Sequence, residues 1–240
     1  MQNAAFRALR LDWTYELLEV APADLPGALN RLKAPDVGGA NVTIPYKQSV
    51  MEHLDSIADD ALRARAVNTI VNHEGRLEGF NTDIAAIRLA LEQVGVKPHG
   101  ANAVILGAGG AARAAAQAME GAHIIFMARH PDDAVLPGKA LGWNDPGAVA
   151  ATRAADVLVN ATPLGRREEM PLRPAALPQR GAVIDLVYVT GGTPLVRKAR
   201  SLGLRTADGW GVLLSQGATA FQLWTGKPAP LEAMRETLQP

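Results

Sequence analysis

The 240-residue chain contains no cysteine, and that one absence removes disulfide frameworks, thiolate metal sites, iron-sulfur ligation and thiol nucleophiles. A cysteine-free chain suits a reducing compartment, and the cytoplasm is the expected location. Net charge is lacking too, since 24 Lys and Arg residues stand against 24 Asp and Glu with no long run of one sign. Without a basic face there is no footprint of a nucleic-acid or anionic-membrane binder, so the expected partners are small molecules or proteins. Long hydrophobic runs are missing as well. The most apolar stretch, residues 101–126, is broken by Arg113, Glu120 and several glycines, and residues 1–10 have no apolar centre of signal-peptide length, so no membrane span is expected. Nor do the five histidines, at positions 53, 73, 99, 123 and 130, have metal-ligand spacing, and no metal site is expected.

What is present is ordinary globular material: 48% hydrophobic and 20% charged residues, over a length that gives one to two domains and a sizeable core. Alternation over residues 13–20 predicts a strand, and the spacing of Leu25, Ala28, Leu29 and Leu32 predicts a helix over 24–33. Residues 39–44 read as a short strand stopped by Pro45, while 47–54 and 57–64 repeat at helical period. Residues 67–71 and 77–80 read as strands around a turn at 72–75. Ile84, Ile87, Leu91 and Val94 then mark an amphipathic helix that leaves the first half. In the second half, 103–106, 123–127, 157–160 and 182–187 are short apolar runs spaced for crossover connections, which predicts a parallel sheet covered on both faces. Three prolines and three glycines lie between residues 131 and 147, where a crossover helix would normally run, so that connection is expected to be abbreviated or irregular.

The clearest chemical signal is Gly107-x-Gly109-x-x-Ala112, set between a predicted strand and an alanine-rich predicted helix. Its glycines allow a tight turn, and the helix start offers free N–H groups to a pyrophosphate, which favours dinucleotide binding over a plain glycine turn. After the next strand stands Arg129, where an NAD enzyme would present an acid to the ribose; a cation there suits a 2′-phosphate and hence NADP. Asp132 and Asp133 follow closely and keep NAD open. Thr43, Lys47 and Asp83 fall at or just past predicted strand ends, where ligands bind in α/β sheets. A lysine and an aspartate brought together could move a proton to or from an alcohol or ketone. By spacing alone the plainer reading prevails: Thr43 a strand hydroxyl, Lys47 a surface lysine and Asp83 a helix N-cap.

Taken in order, several stretches resemble the shikimate dehydrogenase family across nearly the whole chain: Asn-Val-Thr-Ile-Pro-Tyr-Lys at 41–47, Ala-Val-Asn-Thr at 66–69, Asn-Thr-Asp at 81–83 and Gly-Ala-Gly-Gly-Ala at 107–111. Further on come Asn-Ala-Thr-Pro-Leu-Gly at 160–165, Asp-Leu-Val-Tyr at 185–188, Thr-Pro-Leu at 193–195 and Ser-Gln-Gly-Ala at 215–218. The resemblance implies an α/β protein with an N-terminal α/β substrate domain and a Rossmann-like, doubly wound, parallel-sheet dinucleotide domain, with a cleft between them. It assigns residues 1–84, completed by C-terminal helices at 211–240, to the first domain and 85–210 to the second. The implied activity is the reversible, NADP-linked reduction of 3-dehydroshikimate to shikimate in chorismate and aromatic amino-acid biosynthesis, by a monomer or homodimer. Lys47 and Asp83 are carried over as the catalytic pair. Thr43, Asn68, Asp83, Tyr188 and Gln216 become substrate contacts, and Gly107, Ala108, Gly109, Gly110, Ala111, Arg129, Thr162 and Gly209 the cofactor site. The sequence departs from the family pattern in opening without the usual first strand and its Ser-x-Ser motif, and in carrying Ala128-Arg129-His130, Ile84 and Arg166 at positions where other residues are frequent. A quinate/shikimate dehydrogenase using NAD, and a dinucleotide-binding module with impaired catalysis, are the alternative readings.

Overall fold

The computed structural model describes residues 1–132 and 136–238. Its elements begin with helices α1 (Gln2–Ala8) and α2 (Leu25–Arg31), strands β1 (Gly39–Asn41) and β2 (Ser56–Ile57), and helix α3 (Asp59–Ala64). The hairpin β3 (Thr69–His73) and β4 (Arg76–Phe80) follows, then helix α4 (Thr82–Gln93). Next come β5 (Asn102–Leu106), α5 (Gly110–Ala118), β6 (His123–Ala128), β7 (Lys139–Gly142), α6 (Pro146–Ala154) and β8 (Val157–Asn160). The chain ends with β9 (Ala182–Asp185), α7 (Pro194–Ser201), β10 (Arg205–Ala207), α8 (Gly209–Thr225) and α9 (Leu231–Glu236). It forms two compact units, one of residues 1–82 with 214–240 and one of residues 83–213.

The second unit carries the expected parallel sheet, six strands in the order β10-β9-β8-β5-β6-β7. Strands β8 and β9 are buried at every position, as in a sheet covered on both faces. Val104, Leu106, Met127, Leu158, Val183 and Leu195 form its core. Helix α5 buries Ala112, Ala114, Ala115, Ala116 and Ala118; alanine favours the helix and lets its axis come close to other backbone. The order runs outward from β5 in both directions, so the gap between β5 and β8 is a topological switch point, where open α/β sheets bind ligands beyond the carboxyl ends.

The first unit has a four-stranded sheet, β1-β3-β4-β2, antiparallel except for the β2/β4 pair. The β3–β4 turn centres on Glu74 and Gly75, both at positive φ (53° and 89°), the backbone of a mirror-image turn whose twist matches the flanking strands. Leu25, Leu29, Val50, Val67, Ile70 and Leu77 make one core. Phe6 of α1, Leu214 and Phe221 of α8, and Met234 of α9 make another, so the C-terminal helices close over the start of the chain.

Three expectations need correcting. Residues 13–20 form no strand, because the backbone of Tyr15 is satisfied by a side chain: Asn3 Nδ2 donates to Tyr15 O (2.9 Å) and Tyr15 N donates to Asn3 Oδ1 (2.7 Å). Leu17 is left 89% exposed. Residues 47–54 make a 3₁₀ turn over Ser49–His53 rather than an α-helix, since the Lys47 carbonyl accepts from Val67 N (2.7 Å) and is lost to any helical ladder. Ser56 and Ile57 pair with β4, and α3 starts only at Asp59, where two acids favour a helix N-terminus. One strand was not foreseen at all: β7, which extends the parallel sheet beyond β6 through a glycine-flanked stretch of weak strand propensity. Of the connection expected to be abbreviated or irregular, residues 133–135 lie outside the described residues, and the described remainder holds β7 and the start of α6.

Asp55 ties the edge of the first sheet, accepting from Leu77 N at 2.7 Å and pairing with Lys33 Nζ at 3.4 Å. The Leu77 hydrogen bond, helped by Lys33, holds its carboxyl below the usual range. A depressed folded value means stabilisation that is present above the unfolded value and lost as pH falls through the folded one. Asp55→Ala should therefore melt at a lower temperature than the parent chain at neutral pH, with the gap narrowing below about pH 4 in a calorimetric pH series.

Candidate active site

In the first unit the polar centre is Asn68, the residue before β3, only 3% exposed. Its Oδ1 accepts from Thr69 Oγ1 (3.0 Å), Thr82 N (2.8 Å) and Thr82 Oγ1 (3.2 Å). With the oxygen occupied, the amide Nδ2 is the atom left to donate to a ligand. The Asn68 carbonyl accepts from Val42 N (2.8 Å), which fixes the chain next to Thr43, and Val67 N holds the Lys47 carbonyl. Thr82 Oγ1 also faces Gln216 Oε1 of α8, at 3.5 Å. Backbone and side-chain bonds thus gather the chain segments of Thr43, Lys47, Asn68 and Gln216 in one unit. Thr43 is exposed and Lys47 half-buried. Asp83, in the first turn of α4, opens the second unit.

In the second unit, Gly107 follows β5 at a φ of 110°, and a Cβ there would lie 3.1 Å from the Ala161 carbonyl oxygen and 3.3 Å from Thr162 Cγ2. Only glycine combines that φ with that approach. Ala108 and Gly109 complete the turn, and among the described residues no side chain caps the first N–H groups of α5, which begins at Gly110 and Ala111. Uncapped donors at a helix start attract an anion. Thr162 is held on the neighbouring strand end by Asn160 Oδ1, which accepts from Thr162 N (3.1 Å) and Oγ1 (2.7 Å). Arg129 stands exposed immediately past β6. A glycine cradle, an uncapped helix start and an exposed cation one strand away fit a phosphorylated dinucleotide. Asp132 is exposed, and Asp133 lies outside the described residues.

Gly209 has a packing reason of its own: a Cβ would sit 2.5 Å from the Val187 carbonyl carbon, so the start of α8 rests directly on the chain after β9. Tyr188 packs against Trp210 with ring centroids 5.2 Å apart and planes tilted by 51°, and Trp210 Nε1 donates to Val189 O (3.2 Å), leaving Tyr188 half out in solvent. Asn160, Asp185 and Thr193, which open three of the motifs named above but were given no role there, form a fully buried set here. Burial pushes the Asp185 carboxyl up, against the hydrogen bonds from Thr193, Val187 and Asn160. The signal that could have found it is a polar residue closing each of two adjacent apolar runs, Asn160 after β8's valines and Asp185 after Val183 and Ile184.

Two family descriptions match the chain: "Shikimate dehydrogenase substrate binding domain" over residues 1–70 and "Shikimate 5'-dehydrogenase C-terminal domain" over 209–239. It is 41% identical to a shikimate dehydrogenase (NADP(+)) of Moorella thermoacetica, covering 100% of this chain and 87% of that protein. Against the enzyme of that name from Methanopyrus kandleri the identity is 39%, over 99% of this chain and 89% of the other. Among solved structures, shikimate 5-dehydrogenase from Thermus thermophilus in complex with NADP(H) and shikimate superposes with a TM-score of 0.87 at 36% identity, covering 98% of this chain and 91% of that one. A ligand-free 5-ketofructose reductase of a Gluconobacter species gives 0.84 at 31% identity, over 99% and 91%.

The three donors on Asn68 Oδ1 make its loss costly. Replacing it by alanine strands the buried Thr82 N–H and takes one acceptor from each of two hydroxyls, so Asn68→Ala should lose about 1–3 kcal/mol in urea unfolding.

Proposed function

Because the chain belongs to the shikimate dehydrogenase family, we propose that it reduces 3-dehydroshikimate to shikimate, reversibly and with NADP(H), on the route to chorismate and the aromatic amino acids. The supporting observation is the 41% identity across the chain to an NADP-linked relative, combined with the convergence of Thr43, Lys47, Asn68 and Gln216 on one hydrogen-bonded framework. As an oxidoreductase acting on a CH–OH group, it must bind a polyol, hold its ketone or alcohol in place and move one proton. In this reading residues 1–84 with 211–240 bind the substrate and 85–210 the dinucleotide. A cytoplasmic location goes with it, and no helix among the described residues is long and apolar enough to cross a membrane.

Each residue then has a task. Gly107, Ala108, Gly109, Gly110 and Ala111 would hold the pyrophosphate through backbone N–H groups, Thr162 and Gly209 would flank the cofactor, and Arg129 would pair with the 2′-phosphate. When bound, the nicotinamide supplies or accepts the hydride. Lys47 donates a proton to the carbonyl oxygen during reduction and takes it back in the reverse direction. Asp83 accepts from a substrate hydroxyl and orients the ring. Asn68 Nδ2, Thr43, Tyr188 and Gln216 hydrogen-bond the remaining polar groups. The quinate/NAD and impaired-module alternatives are not favoured by the relatives, which are named as NADP(+) shikimate dehydrogenases.

The test is turnover of NADP⁺ with shikimate, against quinate as substrate and against the reduction of 5-ketofructose by NADPH. Preference for shikimate supports the reading, and turnover only with one of the others replaces it. In the active chain, Lys47→Ala should lower kcat about a hundredfold or more with NADPH affinity retained. An unchanged kcat would remove Lys47 from proton transfer. Arg129→Ala should weaken NADPH far more than NADH in fluorescence titration, and equal weakening would show that Arg129 does not read the phosphate.

A further inference from the structure

Asp185 is a carboxyl group with no access to solvent and, among the described residues, no cation paired with it. It closes β9 directly opposite Asn160, which closes β8. Both of its oxygens are used: Oδ1 accepts from Asn160 Nδ2 (2.9 Å) and Val187 N (3.0 Å), and Oδ2 accepts from Thr193 Oγ1 (2.6 Å). A buried carboxyl without an ion-pair partner is expensive, and its raised pKa reflects that cost. An apolar residue would fill the same volume more cheaply, so the group is best explained by what it holds.

It holds two segments at once. Through Asn160 it reaches the chain after β8, because the same carboxamide accepts from Thr162 N and Oγ1 and donates to Leu164 O (3.0 Å). Leu164 N in turn donates to Thr162 Oγ1 (3.2 Å). Through its own Oδ1 it fixes Val187 N, the residue before Tyr188. Through Thr193, whose hydroxyl also accepts from Val196 N (3.2 Å), it anchors the start of α7. The cradle is tight: a Cβ on Gly165 would lie 3.4 Å from Thr193 Cβ and 3.9 Å from Asp185 Oδ2.

We propose that Asp185 is a positioning residue whose carboxylate sets residues 161–165 and 186–189 in one shared arrangement, so that Thr162 on the cofactor side and Tyr188 on the substrate side are placed together. The parts given to Thr162 and Tyr188 rest on the functional reading above; the mechanical link does not. Asp185 itself touches neither ligand. Its effect is on how well two loops present their contacts, and a single lost hydrogen bond should weaken both affinities in parallel.

The experiment uses the full chain with Asp185→Asn, Thr193→Val and Thr193→Ser. Thr193→Ser keeps the hydroxyl that donates to Oδ2 and caps α7, while Thr193→Val deletes it at equal size. Hydrogen exchange on the ligand-free proteins should show the Thr162, Leu164 and Val187 amides exchanging about tenfold faster or more in Asp185→Asn and Thr193→Val, with Thr193→Ser close to the parent. The NADPH dissociation constant and the KM for shikimate should both rise about tenfold in the first two variants and recover in the third. Faster exchange with both constants unchanged would reduce Asp185 to a structural role and overturn the proposal. Loss confined to one ligand would overturn the shared arrangement. If Asp185→Asn fails to fold, the Thr193 pair decides the same question. If the parent chain does not turn over shikimate, the functional reading fails, while exchange in both segments and NADPH affinity still decide the link.

Discussion

At Gly107 a positive φ of 110° coincides with a backbone approach that would put a Cβ only 3.1 Å from the Ala161 carbonyl oxygen, and the carboxyl edge of the six-stranded sheet is arranged around that approach. A doubly wound sheet needs neighbouring strands whose chains leave to opposite sides, and β5 and β8 are that pair. Where they separate, the chain after β5 must turn at once into α5 while the chain after β8 crosses beside it. Glycine allows the turn, and the alanines of α5 let the helix settle close to the strands it covers. The uncapped N–H groups then point where the two chains part, and this is why a packing constraint and an anion cradle coincide.

Both units solve a second problem with the same device. Strand ends are where backbone loses its ladder partners, and a buried loop must find others. In the first unit a carboxamide, Asn68, accepts a backbone N–H and two hydroxyls and so fixes the start of α4 against the start of β3. In the second, Asn160 does the same for the chain up to Leu164, with Asp185 bound behind it. A short polar side chain that combines several roles turns irregular backbone into a fixed surface, which is what a polyol or a dinucleotide requires of its binding residues.

How much of this could be read from residues alone depended on what satisfied the backbone. The strands of the second unit were legible because burial on both faces writes itself as apolar runs, and the glycine turn was legible because its strand and helix flanked it. Where a side chain or a distant carbonyl took over, periodicity misled. Asn3 substitutes for a strand neighbour at Tyr15, and Val67 draws the Lys47 carbonyl out of a helical pattern. Strand β7 escaped notice because pairing with β6, not propensity, makes it a strand. Thr43, Lys47, Asn68 and Gln216 were named from an ordered set of motifs, whereas Asp185 lay inside one of those motifs and its importance rests on hydrogen bonds that no spacing displays.

The four tryptophans divide evenly between the two units, and their surroundings differ. In the first unit Trp13 lies over Gly38 and against Phe6, while Trp224 donates its indole N–H to the Ile70 carbonyl at 2.9 Å and packs on Tyr15. In the second, Trp143 packs on the sheet core and Trp210 packs against Tyr188 with the rings tilted. Intrinsic fluorescence excited at the red edge of indole absorption therefore comes from two pairs of emitters: one pair senses the edge of the small sheet, the other the core of the second unit and the loop beyond β9. Replacing Trp13 and Trp224 by phenylalanine would leave an optical probe that responds to the second unit alone, and the order in which the units melt becomes visible without any added label.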